Sequence, residues 1–193
     1  MYAKVENNVI VKANSSLASF NRAAPSWSAE QLAANGIYEV VYDNSNLKND
    51  RFYINGAESF TFASDTVTAS YTAAVGKTLD DVNEVDEEGN ALLDDDGVQL
   101  VTSGLKTNEK NQIKAQAANL LQSTDWYVVR HAESETAIPA NVSTYRTAVR
   151  TKSNEIETSI DGAATVEAVE ALFTYTTGAD DVVSRPLGEW PKL

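Results

Sequence analysis

The sequence predicts an α+β protein: a small antiparallel β-rich N-terminal domain followed by a C-terminal helical hairpin or three-helix unit. Three observations carry that prediction. Up to about residue 75, β-branched and aromatic residues alternate in short runs separated by turn formers. From Leu105 onward, apolar residues recur at three- and four-residue spacing. Between the two lies "DDVNEVDEEGNALLDDDG" (80–97), which holds nine of the 28 acidic residues and no Lys or Arg. The expected domains are therefore 1–75, an acidic linker or marginal hairpin over 76–104, and 105–193 with an irregular tail.

"YAKVE" and "VIVK" flank Asn7-Asn8, residues that tolerate the left-handed backbone of a tight hairpin. "SWSAEQLAANG" (26–36) reads as a helix signed at both ends, with Ser28 and Gln31 forming a capping box and Gly36 past the last turn. "IYEVVY" (37–42) is a strand. "RFYING" and "AESFTFAS" are expected to face each other across Asn55-Gly56, the strongest short hairpin signal in the chain. "DTVTASYTAAV" (65–75) supplies a further strand.

In the second half, Ile113, Ala117, Leu120 and Leu121 share one helical face. A second helix starts near Asn141 after Ile138-Pro139, with Val142, Tyr145, Val149, Ile156 and Ile160 along one seam. Together they suggest an antiparallel αα unit. Between them, "WYVVRH" (126–131) reads as a β-favouring run. "TVEAVEALF" (165–173) is a third helix with Val166, Val169 and Leu172 or Phe173 inward. "RPLGEWPKL" is too rich in Pro and Gly for a regular element.

Composition removes several chemistries. The chain has 193 residues, 42% hydrophobic and 22% charged, and no cysteine, so disulfides, thiol catalysis and cysteine-held metals are excluded. A net charge of −13 argues against a nucleic-acid surface, which needs a basic footprint. No apolar run reaches the roughly 18–20 residues that span a bilayer, and "MYAKVENNVIVKANSS" lacks a signal-peptide pattern, so neither export nor membrane insertion is expected. The nine glycines form neither G-x-x-x-x-G-K-[ST] nor G-x-G-x-x-G.

His131 is the only histidine, and a surface or hydrogen-bonding place is expected for it rather than a triad. The acids of 80–97 do not fit the EF-hand register, so a solvated segment is favoured over a calcium loop. Paired carboxylates for glycoside hydrolysis have no spacing signature, and Trp27 or Tyr53 as a sugar-stacking platform competes with an ordinary packing role. Arg146 and Arg150, four apart and read as lying opposite Val142 and Val149, are either a clamp for a partner's carboxylates or partners of Glu155 or of acids on a neighbouring element. No catalytic residue, metal ligand or cofactor is assigned.

"LLQSTDWYVVRHAESETAIPANVSTYRTAVR" resembles the C-terminal segment of bacteriophage tail-fibre assembly and tail-assembly-chaperone-like proteins. Leu120, Leu121, Thr124, Asp125, Trp126, Tyr145, Arg146 and Arg150 match it in order. "MYA" with "ENNVIV", the segment "SAEQLAANGIYEV" and the ending "GEWPKL" are similar to the same proteins, so the resemblance touches both ends and about half the chain.

It implies a non-enzymatic viral tail protein: a structural component of the virion, at the tail fibre or baseplate, assembled in the host cytoplasm. Its partners would be tail-fibre, baseplate or tail proteins, met in several copies around the tail as a homo-oligomer. A transient fibre-assembly chaperone absent from the virion, and a glycan-binding or glycan-degrading tail module, stay open. In this reading Leu120, Leu121, Trp126, Val142, Tyr145, Arg146, Val149, Arg150, Ile156 and Ile160 serve packing or interaction. Trp126 is the anchor that folds over Leu121 toward Tyr145, the Tyr145–Ile160 face meets the partner, and the small sheet is a second docking surface.

Overall fold

The first hairpin of the computed structural model, which describes residues 1–193, turns on Asn7 and Asn8. Both have positive φ (51° and 63°), the backbone a two-residue hairpin of this hand requires. They join β1 (Tyr2–Glu6) to β2 (Val9–Ser15). A short helix, α1 (Ala29–Ala34), carries the expected capping box of Ser28 and Gln31. It is stopped by Gly36 at φ +63°, where a Cβ would sit 2.3 Å from the carbonyl oxygen of Val5. The next strand, β3 (Ile37–Asp43), pairs with β1.

The middle of this unit differs from the expectation. β4 (Tyr53–Ile54) does not pair with β5 (Glu58–Ala63) across Asn55-Gly56. Instead β5 pairs with β6 (Thr66–Tyr71) through Ser64 and Asp65, both at positive φ, and β4 pairs with β7 (Val75–Gly76). Asn55 turns its side chain to the backbone of Lys48, accepting from its N–H and donating to its carbonyl. Gly56 is needed for close approach, since a Cβ there would collide with Thr72. The Asn-Gly pair thus marks a tight backbone contact rather than a hairpin.

The five-stranded sheet runs β2-β1-β3-β6-β5 and is mixed, because β3 and β6 are parallel. The α+β class holds, while the expected all-antiparallel sheet is corrected at that one pairing. The sheet curls until edge strands β2 and β5 approach each other. Ala3, Val5, Val40, Val67 and Ala69 form its core, with Ile10, Ala13, Tyr38, Phe60 and Phe62 packed against them. These elements make up the first compact unit, Met1–Gly76.

The second unit, Lys77–Leu193, takes in the acidic stretch. β8 (Val82–Asn83) pairs with β9 (Val101–Thr102), and two tight loops bud from that stem. They are an eight-residue repeat, "VDEEGNAL" (85–92) and "LDDDGVQL" (93–100). In each, an Asp carboxylate accepts from backbone N–H groups two and four residues on: Asp86 from Glu88 and Asn90, Asp94 from Asp96 and Val98. Gly89 and Gly97 close the loops at positive φ. At the junction the N–H groups of Glu84, Leu92 and Leu100 donate in a closed ring, to Leu100, Glu84 and Leu92 respectively, at 2.8–3.0 Å. The Gln99 amide nitrogen sits 2.7–3.0 Å from the same three carbonyls. The stretch is thus a small three-hairpin lobe.

Two long helices, α2 (Leu105–Gln122) and α4 (Ala140–Gly162), run antiparallel as expected. The pairings Lys110–Asp161 (2.7 Å), Lys114–Glu157 (3.5 Å) and Tyr145–Leu120 fix the direction. Ile113, Ala117, Tyr145, Val149, Ile156 and Ile160 are buried between them. Each buried Ile or Val among them contributes about 1.5–3 kcal/mol, against about 0–1 kcal/mol for an exposed ion pair, so the apolar seam holds the helices together.

Residues 126–131, expected as a β run, lie in a helix, α3 (Asp125–Ser134). A strand there would have no neighbour for its backbone groups, whereas a helix satisfies them internally. The last helix, α5 (Val166–Phe173), is capped by the Thr165 hydroxyl and buries Val166 and Val169. β10 (Thr176–Thr177) and β11 (Val183–Ser184) form a small hairpin before the tail. That tail is irregular but not loose: Leu187 is buried, and Trp190 packs on both apolar clusters of the helical core.

Candidate functional site

Six of the eight residues that carry the resemblance, Leu120, Leu121, Thr124, Asp125, Tyr145 and Arg146, meet at the end of α2. A helix leaves its last carbonyls without intrahelical donors, and here α4 and the following turn supply them. Tyr145 Oη donates to the Leu120 carbonyl at 3.1 Å. Arg146 Nη1 lies 3.0 Å from the Leu121 carbonyl, 2.7 Å from Thr124 Oγ1 and 2.8 Å from Asp125 Oδ1. Thr124, fully buried, donates its own hydroxyl to Leu121 at 2.8 Å. A cation at a helix C-terminus is favoured by the helix dipole as well.

This joint corrects where Arg146 lies and what the α4 face meets. Arg146 lies on the inward face of α4, buried beside Val142 and Val149 rather than opposite them. Its carboxylate partner is Asp125 of the same chain. Arg150, one turn on, is exposed and has no acidic partner in the chain. The Tyr145–Ile160 face is the internal seam against α2, so it offers nothing to a partner.

Trp126 does not fold between the helices. It is 51% exposed and stacks on Tyr127 with ring centroids 3.8 Å apart, while the Arg130 guanidinium lies 4.7 Å from its ring. The bridging indole is Trp190. Besides touching both clusters it donates from Nε1 to Gln116 at 3.1 Å. In sequence the two tryptophans are equally suggestive; only packing separates them.

No residue of α3 is buried. Trp126, Val129 and Arg130 fall three and four apart on one face, and Val128 and Val129 are exposed. Arg130 Nε is shut off from solvent yet has no hydrogen-bond partner. A helix held at its base by a buried joint, with an open aromatic-aliphatic face, is suited to docking.

The other candidates take quieter places. His131 is exposed at the end of α3, with Nδ1 3.0 Å from the Thr136 carbonyl. Tyr53 is buried under the Lys48 ammonium, 4.3 Å from its ring centroid, and offers no stacking platform. Trp27 is half-buried and lines a cavity. No group of three or more His, Asp or Glu side chains is arranged to hold a metal ion. Of the acids, Glu30, Asp43, Asp81 and Asp86 are held below the usual carboxylate range by local turn or cap hydrogen bonds, from Ser28, Ser45, the Gly104 backbone and Asn90. Those bonds serve turns and helix ends, where such shifts are structural.

Known protein families, curated proteins and solved structures show no match to this chain.

Sequence reasoning missed Trp190 and Leu187, because Pro and Gly in "RPLGEWPKL" drew attention from its two large apolar residues. It also missed Gln99 and the lobe around it. The signal was present as the repeat of Asp and Gly at eight-residue spacing over 85–100.

Proposed function

We propose that the chain is a non-enzymatic bacteriophage tail protein, a virion component associated with the tail fibre or baseplate that acts by protein–protein docking. The observation that carries the reading is the use made of the resembling residues. Leu120, Leu121, Thr124, Asp125, Tyr145 and Arg146 are consumed in one internal joint. Such a joint does architecture, and what it positions is α3.

The docking face in this proposal is the Trp126–Val129–Arg130 side of α3, in place of the buried α4 seam. A fitting partner segment brings an apolar side chain to the Trp126 ring and a carbonyl or carboxylate to Arg130. Repetition of the tail would present several copies of this face around an axis.

The deciding experiment is mass spectrometry of purified particles. Peptides of the chain at a level comparable to other tail proteins support the virion component. Peptides found in the infected-cell lysate but absent from particles would replace that reading with a transient assembly chaperone. Cross-linking from residues near Trp126 should reach a tail, fibre or baseplate protein, and Trp126→Ala should weaken that capture.

A further inference from the structure

We infer that the cavity lined by Trp27 on the first unit binds one acidic monosaccharide of the hexuronate class. This stands apart from the docking role of α3 and does not depend on it. The cavity has a volume of about 300 Å³, at the small end of the roughly 300–1,000 Å³ range of ligand sites. That room suits one sugar ring rather than an extended chain.

Its walls join two kinds of group. Phe20 and Trp27 give flat apolar surface, which the C–H faces of a pyranose ring cover well. Lys4, Asn21 and Asn35 bring polar groups to the same space. The local backbone uses only part of their capacity. Asn21 Oδ1 accepts from the Ala23 N–H, leaving its amide N–H₂ free. Lys4 Nζ donates to the Asn35 carbonyl at 2.6 Å and faces Glu6 at 3.6 Å, with a third proton to spare. The Trp27 indole N–H has no partner within the chain.

Lys4, Asn21 and Trp27 thus offer donors, one of them charged, beside the Asn35 Oδ1 and Ser19 Oγ acceptors, a set that suits a ligand carrying both a carboxylate and hydroxyls. The surrounding charge agrees. Lys12 lies directly across the ladder from Lys4 and holds its ammonium 5.2 Å from the Phe20 ring, and Arg22 adjoins Asn21 without an acidic partner. In a chain of net charge −13, this is a local cationic rim around an aromatic pocket. A sugar carboxylate meets Lys4 and Asn21 while the ring lies against Trp27.

The test is a titration of the full chain with glucuronate, glucose and acetate, followed through the three tryptophan indole N–H signals by NMR. Trp27→Phe assigns the Trp27 signal. Glucuronate should shift it saturably with a dissociation constant in the millimolar range, the order expected for so small a ligand. Glucose should bind at least about tenfold more weakly for lack of the charge pair. Asn21→Asp keeps the turn, because Asp accepts the same Ala23 N–H, yet it removes the free donor and adds a negative charge. It should weaken glucuronate at least about tenfold. Any one of three results overturns the inference: no saturable shift with glucuronate, an equal shift with acetate, or unchanged binding in Asn21→Asp with the fold intact by circular dichroism.

Discussion

The Arg146 guanidinium satisfies a helix-end carbonyl, a buried hydroxyl and a carboxylate at one point. Removing it takes the donor from the buried Thr124 hydroxyl and one donor of several from the Leu121 carbonyl, which keeps the Thr124 N–H and hydroxyl, while half-exposed Asp125 returns to water. Arg146→Ala should cost about 1–3 kcal/mol in urea unfolding, and Arg146→Lys should restore only part, because the lysine nitrogen ends one bond short of the Nη1 position that makes all three contacts. The tryptophans give a sharper contrast. Trp190→Ala opens a gap against two apolar clusters and should cost about 2–4 kcal/mol. Trp126→Ala on the exposed face of α3 should stay within about 1 kcal/mol. Equal losses from the two changes would return Trp126 to the role of packing anchor.

Among the elements, the acidic lobe shows most clearly how short-range chemistry builds order from a charged segment. Gln99→Glu would aim a carboxylate at the three carbonyls its amide now serves. Hydrogen-exchange protection at the Glu84, Leu92 and Leu100 amides should then fall, with the helical signal of the chain unchanged. Acidity should loosen the same region. Hydrogen bonds to the Asn90 side chain and backbone lower the Asp86 pKa, and those to the Gly104 backbone and Thr107 lower that of Asp81. A carboxylate with a lower pKa folded than unfolded adds stability above its unfolded value, about 3.9. That contribution is lost as pH falls through the folded value. Lys110 behaves oppositely: its hydrogen bond to Asp161 raises its pKa, so its contribution is full below the unfolded value, about 10.4, and disappears as pH rises through the folded one. Amide shifts of Asn90 and Gly104 should therefore stay constant through neutral pH and move only below about pH 4.

For the whole molecule, the cores are separate in sequence. Every residue of the sheet core lies at or before Ala69, and every residue of the helical clusters lies at or after Ile113. A chain started at Lys77 should consequently keep the helical circular dichroism of α2–α5 and unfold cooperatively. Loss of that cooperativity would mean the second unit needs the first. The charge is divided as unevenly as the cores. Residues 1–76 carry five basic and seven acidic side chains, leaving 10 basic and 21 acidic to 77–193. Self-repulsion among copies should thus come chiefly from the second unit, and salt should ease any assembly it enters.

Local signals were legible where one short segment settles its own conformation. The Asn7-Asn8 turn, the Ser28–Gln31 box, Gly36, the α2–α4 seam and Thr165 before α5 all follow from the residues that form them, because caps, positive φ and helical periodicity are short-range facts. Choices between equivalent partners were not legible. Whether Asn55-Gly56 or Ser64-Asp65 turns a hairpin, whether β3 meets β6 in parallel, whether 126–131 is strand or helix, and which indole closes the helical core depend on groups far away in the chain. The sequence by itself determined the class, the ends of α1 and the apolar seam of α2 and α4. Tertiary structure alone decided which faces are spent inside and which remain open, since burial is a property of the assembled neighbours and not of the residue.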